Sequence, residues 1–146
     1  MDASAISQII FLIILLILSA FFSSAETALT TVNKIRMRTL ADDGNKRAEQ
    51  VLRITDDSHK MLSAILIGNN IVNLSASSLA TTLAIKLWGS VGAGIATGIL
   101  TFLILVFGEI SPKTFATLYA DQISIAYSGI IGFLMKILTP VIFLVN

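Results

Sequence analysis

Three long, predominantly apolar stretches, about Ile6 to Leu29, Met61 to Leu87 and Val91 to Ile110, limit what this chain can fold into. Each reaches or approaches the ~20 residues that an α-helix needs to cross a hydrocarbon core at ~1.5 Å per residue. Over 146 residues the chain is 55% apolar and 13% charged, with a mean hydropathy of +0.86. The reading is an all-α integral membrane protein with three transmembrane helices in one domain, residues 1–146. The first stretch is read as a retained transmembrane helix in place of a signal peptide. No basic residue precedes it, and no small-x-small cleavage site closes it cleanly, since it runs on into Ser23-Ser24-Ala25-Glu26.

The polar segment between the first and second stretches, Asn33 to Lys60, holds seven of the ten Lys and Arg residues. The positive-inside rule makes that segment cytoplasmic, places the N-terminus and the Trp88-Gly89-Ser90 turn outside, and returns the end of the third helix to the cytoplasmic side. Within it, Val32, Ile35 and Leu40, then Ala48, Val51 and Leu52, recur at helical spacing around Asp42-Asp43-Gly44-Asn45. Two short amphipathic helices joined by a turn are expected over 33–60, with Asp56, Asp57 or Ser58 capping the helix that follows. The last stretch, Ile123 to Val145, is apolar enough for a fourth crossing but carries Lys136 and Pro140. The preferred reading lays it along the cytoplasmic interface, with Lys136 snorkelling to the headgroups and the C-terminus inside. An apolar run that continues to Asn146 leads to the expectation of a soluble domain beyond it.

The polar residues within the apolar stretches are the candidates for function. Glu109 lies at the end of the third stretch in Phe107-Gly108-Glu109-Ile110-Ser111-Pro112-Lys113, and an ionisable group at membrane depth is a functional-site hypothesis by default. Pro112 has no N–H, so the carbonyl four residues back, that of Gly108, lacks its helical partner. On the first helix Ser19, Ser23, Glu26, Thr27 and Thr30 share a face; on the second Asn70, Asn73 and Ser77 do so, with Asn69 adjacent. Carboxylate, hydroxyl, amide and carbonyl oxygens suit a hard cation such as Mg²⁺, Ca²⁺ or Na⁺. With no cysteine and one histidine, His59, thiolate zinc sites and iron–sulfur clusters are excluded.

Simpler roles compete for most of these residues. Serines such as Ser19, Ser75, Ser77 and Ser78 commonly bond their own helix or mediate packing. Interhelical hydrogen bonds satisfy Asn70 and Asn73 as readily as an ion does. Glu26 can reach the headgroups or pair with Lys34 or Arg36, and Lys113 reads as a snorkelling residue. Gly94 and Gly98 form a small-xxx-small pair that permits close helix approach.

Phe21-Phe22-Ser23-Ser24-Ala25-Glu26-Thr27-Ala28-Leu29, then Ile67-Gly68-Asn69-Asn70-Ile71-Val72-Asn73, then Gly108-Glu109-Ile110-Ser111-Pro112-Lys113 resemble, in order and spacing, the three signature motifs of the CorC/cyclin-M family of magnesium exporters. The resemblance implies a homodimer of three-span protomers with a juxtamembrane belt helix, here about 123–145. It also implies cytosolic CBS and CorC-type domains, which this sequence lacks. The implied activity is Mg²⁺ export, coupled to inward movement of Na⁺, in the plasma membrane. Carried over by motif, the ion ligands are Ser23 or Ser24 from the first helix, Asn70 and Asn73 from the second, and Gly108, Glu109 and Ser111 from the third, with Pro112 breaking the helix there.

No catalytic triad, phosphate loop or hydrolytic carboxylate pair occurs, so no enzyme and no nucleic-acid partner are expected. The alternatives to a transporter are a membrane-anchored Mg²⁺ sensor, in which the same oxygens bind the ion without moving it, and a divalent-cation channel.

Overall fold

Helices make up every regular element of the computed structural model, which describes residues 3–145 and leaves Asn146 outside. They are α1 (Ala3–Thr31), α2 (Lys34–Asp42), α3 (Lys46–Asp56), α4 (Ser58–Leu105), a π-helical segment (Val106–Ile110), α5 (Ser111–Leu118), α6 (Ala120–Ile137) and α7 (Thr139–Val145). Among the described residues two continuous helical runs, Ala3–Thr31 and Ser58–Leu118, are long and apolar enough to cross a membrane.

The second run is not straight. Gly89, at φ 72° and ψ −177°, interrupts α4 and folds it into two antiparallel limbs, 58–88 and 90–105. The proof is in the contacts: Asn73 and Glu109 are 36 residues apart in sequence and 3.3 Å apart in space, whereas a straight helix would separate them by ~54 Å. Both limbs pack on α1, enclosing an apolar cavity of about 290 Å³ among Leu12, Leu16, Leu83, Leu87, Leu100 and Ile104 at the Gly89 end. The outward faces carry Ile10, Ile17, Leu74, Val91, Ile95 and Phe102, all exposed. So much apolar surface on the outside is the pattern of a protein whose solvent is hydrocarbon.

The segment 33–60 folds as its pattern demands. Asn33 caps α2 by accepting from the Arg36 N–H, Asn45 caps α3 by accepting from the Arg47 and Ala48 N–H groups, and Asp57 caps α4 by accepting from the Lys60 N–H. Gly44, at φ 98°, supplies the left-handed residue between α2 and α3. The buried face of α2 differs from the sequence reading: Met37 is fully buried while Ile35 is 77% exposed. Met37, Leu40 and Ala41 stand at i, i+3 and i+4, the stripe a short helix can turn toward one neighbour, and Ile35 lies off it.

The C-terminal stretch is two helices broken at Leu138, ahead of Thr139-Pro140, with Lys136 exposed. Helix α6 buries Ile123, Ser124, Ser128, Ile131 and Met135 and packs across α1, α3 and α4. Its first turn is tied down by Asp121, which accepts the Asn33 N–H at 2.9 Å and the Arg36 guanidinium at 3.0 Å. Arg36 therefore pairs with Asp121, not with Glu26.

The conformation of Gly89 is open to glycine almost alone, and forcing a Cβ into it stores roughly 1–3 kcal/mol of strain. Gly89→Ala is expected to lower the thermal unfolding midpoint in detergent. An unchanged midpoint would mean that the reversal tolerates another backbone geometry.

Candidate cation site

Ser19, Asn73, Gly108 and Glu109 meet where α1 packs between the two limbs of the hairpin. Ser19 is fully buried. Its Oγ donates to Asn73 Oδ1 at 2.7 Å and lies 3.4 Å from the Gly108 carbonyl oxygen. Asn73 Nδ2 in turn donates to Glu109 Oε1 at 3.3 Å. The hydroxyl has one proton and spends it on the shorter contact, so the Gly108 oxygen is left as a weakly served acceptor.

The backbone around Glu109 explains why. Ser111 N–H donates to Val106 O, five residues back, which makes Val106–Ile110 a π-helical turn. Pro112 then sits in the first turn of α5 and contributes no N–H to Gly108. The sequence reading expects Pro112 to break the helix; the chain instead stays helical through to Leu118, and the π-turn absorbs the missing hydrogen bond. Single π-turns of this kind are frequent at functional sites. Gly108 is required by the close approach of α1: an added Cβ would lie 3.0 Å from Ser19 Oγ and 3.3 Å from Leu16 Cδ1.

Of the seven residues carried over by motif, the structure brings Asn73, Gly108 and Glu109 together. Asn70 is exposed on the outer face of the first limb. Ser24 donates its hydroxyl to the Ala20 and Phe21 carbonyls. With Ser111 it lines a separate open groove beside Phe107, Pro112, Phe115 and Tyr127. Ser23 is fully buried one turn beyond Ser19, and its hydroxyl has no hydrogen-bond partner. The residue that the sequence reading set aside as structural is Ser19. Its spacing of four from Ser23 placed it on the right stripe, but only the register of α1 against the hairpin shows that it touches two of the candidate ligands.

Chemically the cluster offers one carboxylate with hydroxyl, amide and carbonyl oxygens. Among the described residues no group of three His, Cys, Asp or Glu side chains is placed to hold a metal. A cation here would be held by neutral oxygens around a single acid, a donor set for a hard ion.

Residues 10–146 match the family described as Cyclin M transmembrane N-terminal domain. The whole chain is 46% identical to a UPF0053 protein of Haemophilus influenzae and covers 35% of its length. A UPF0053 inner membrane protein, YfjD, of Escherichia coli is 41% identical over 88% of this chain and 30% of its own. A chloroplastic DUF21 domain-containing protein of Arabidopsis thaliana, At1g55930, is 38% identical over 92% of this chain and 20% of its own. The chain thus spans about a third or less of the length of these relatives.

Ser19→Ala would strand the Asn73 amide oxygen, and leaving a buried acceptor unpaired costs about 1–3 kcal/mol. Ser24→Ala removes only a hydroxyl bonded to carbonyls of its own helix. Unfolding of both variants in detergent is expected to show a clear loss for Ser19→Ala and a change within ~0.5 kcal/mol for Ser24→Ala.

Proposed function

The chain belongs to the Cyclin M transmembrane N-terminal domain family, and on that premise we propose that it is the membrane domain of a Mg²⁺ transporter, exporting Mg²⁺ against inward movement of Na⁺. The observation that carries this reading is the Ser19–Asn73–Glu109 chain at the π-turn, with the weakly served Gly108 carbonyl beside it. Ser19, Asn73, Gly108 and Glu109 are the ligands in this reading, and Asn73 turns its amide oxygen from Ser19 to the ion. One carboxylate leaves a bound divalent ion under-neutralised, which favours release. Mg²⁺ gives up its water shell reluctantly, so the ion exchanges part of that shell for protein oxygens while the site is open to one side.

The helices cross three times in this topology: α1 outward to inward, the two limbs of α4 out and back, with the Gly89 turn outside. The basic α2–α3 hairpin and the end of α5 then lie at the cytoplasmic face, and α6–α7 runs along it as a belt ahead of CBS-type domains. The protein is a transporter and not an enzyme in this reading. It acts as a homodimer: Gly94 and Gly98 lie open on the second limb with no atom within 4 Å of an added Cβ, beside Val91 and Ile95, which are 91% and 73% exposed. A smooth apolar strip of that kind accepts a second helix at close range.

Two measurements test the proposal. Glu109→Gln keeps an acceptor for Asn73 Nδ2 but removes the charge, so Mg²⁺ binding by calorimetry is expected to weaken at least about tenfold, and Mg²⁺ flux in vesicles to stop, in a protein of unchanged size. Asn73→Ala weakens binding less. Binding without flux in the unaltered protein would indicate a sensor, and flux independent of a Na⁺ gradient a channel. Separately, Gly94→Leu with Gly98→Leu is expected to shift the mass in detergent from dimer toward monomer, and a mass that is monomeric throughout would remove the dimer from the reading.

A further inference from the structure

Helices α2 and α3 carry six of the ten Lys and Arg residues, Lys34, Arg36, Arg38, Lys46, Arg47 and Arg53, and all six are exposed. Arg36 pairs with Asp121, whereas Lys34, Arg38 and Arg53 make no ion pair among the described residues. These three line one open groove of about 590 Å³ between the two helices, together with Glu49 and Asp56 of α3. Lys34 and Arg38 stand at i and i+4, so α2 presents both on one face, and like charges at that spacing oppose the helix that holds them. An anion in the groove relieves that repulsion.

The charges of the groove do not cancel: three cations against two carboxylates leave one positive charge in excess. Glu49 is in part already used, since it stands in the first turn of α3, where a carboxylate complements the helix dipole. Between Lys34 and Arg38 in sequence, Ile35 is 77% exposed, the one large aliphatic side chain so placed from Asn33 to Lys60. It is not isolated. The Arg36–Asp121 contact joins this turn of α2 to the α5–α6 junction, where Leu118 and Tyr119 are exposed as well. Aliphatic and tyrosine side chains set among Lys and Arg are the composition of a membrane–water interface.

We propose that the α2–α3 groove binds an anionic phospholipid of the adjoining leaflet, its phosphodiester among Lys34, Arg38 and Arg53 and its acyl boundary at Ile35. The assignment to a phosphodiester follows from the donors. Guanidinium forks match phosphate oxygens in pairs, lysine adds a point charge, and one negative charge cancels the excess in the groove. The assignment to a lipid follows from Ile35, Leu118 and Tyr119, which a free phosphate would leave in water. Asp121 of α6 holds both Asn33 and Arg36 of the same turn, so a lipid bound here braces the junction of α1, α2 and α6. The proposal takes its leaflet from the topology of the transport reading and uses none of the Mg²⁺ ligands.

Native mass spectrometry of the purified protein in detergent, titrated with phosphatidylglycerol or with phosphatidylcholine, tests this. The unaltered protein is expected to retain phosphatidylglycerol at least about tenfold more tightly. A cation near an anionic lipid contributes about fivefold in affinity, so Lys34→Gln with Arg38→Gln is expected to lose about twentyfold or more. Lys46→Gln with Arg47→Gln removes the same charge outside the groove and stays within about threefold. All four side chains are exposed, so both double variants keep the fold. Ile35→Ser weakens the lipid severalfold, and millimolar inorganic phosphate does not displace it. Equal retention of the two lipids would overturn the proposal, and so would equal losses in the two double variants, which would reduce the effect to surface charge. Displacement by phosphate with no effect of Ile35→Ser would make the groove a free-anion site and end the lipid assignment. Calorimetry with Mg²⁺ on Lys34→Gln with Arg38→Gln is expected to match the unaltered protein within about twofold. Absence of Mg²⁺ binding in the unaltered protein would count against the transport reading and leave the lipid titration standing.

Discussion

The reversal of α4 at Gly89 is the constraint on which the rest of the structure depends. Without it, residues 73 and 109 would lie at opposite ends of a single rod. With it they share a hydrogen bond, and α1 acquires two helical faces to pack against instead of one. A φ of 72° with ψ near 180° is available to glycine at little cost and to other residues only under strain. A single backbone conformation thus places an acid from one limb, an amide from the other and a hydroxyl from α1 at one level.

Around that level the chain accepts local penalties that packing alone would not require. A π-turn, a proline that withholds an N–H, a glycine at the point of closest helix approach and a buried serine all occur within a few ångströms of Glu109. Toward the Gly89 end the same interface is lined by leucine and isoleucine. Had the polar cluster been needed only to fix the register, one serine–asparagine bond would have sufficed, since such bonds contribute about 0.5–2 kcal/mol in membrane interiors. The concentration of irregular backbone beside the one acid on this stretch is the feature on which the cation-site proposal rests.

Much of this was legible in the sequence. Apolar length marked the long helices, Asp57 was among the residues expected to cap the helix after 33–60, and Pro112 marked the carbonyl at Gly108 as irregular; the Asn33 and Asn45 caps emerged only in the structure. The details that escaped are those that depend on one helix meeting another. Spacing placed Ser23, Ser24 and Ser19 on neighbouring positions of α1, but whether a hydroxyl bonds its own helix, as Ser24 does, or a facing one, as Ser19 does, is decided by register. The exposure of Asn70 and the burial of Met37 in place of Ile35 have the same cause. Proline signals a defect in a helix but not its form. A π-turn and a break both relieve the same missing donor.

The attachment of α6 shows how magnitudes rank these contacts. Its most visible tie is the Arg36–Asp121 ion pair, yet the arginine side chain is 62% exposed, and exposed pairs are worth about 0–1 kcal/mol. The face that buries Ile123, Ser124, Ser128, Ile131 and Met135 does more. Gly132 lets the Gln50 amide approach to 3.3 Å from where a Cβ would stand, and Ser128 Oγ, which lies 3.2 Å from the Ile125 carbonyl oxygen of its own helix, is also 3.4 Å from Gln50 Oε1. Close packing of small residues therefore holds α6 against α3, while Asp121 fixes its starting point by also accepting the Asn33 N–H at the end of α1. Because α1 carries Ser19 as well, the helix that meets Asn73 in its middle is followed directly by the Asn33 N–H that Asp121 of α6 holds. Any displacement of α6 along its length must either break the Asp121 contacts or be felt by α1.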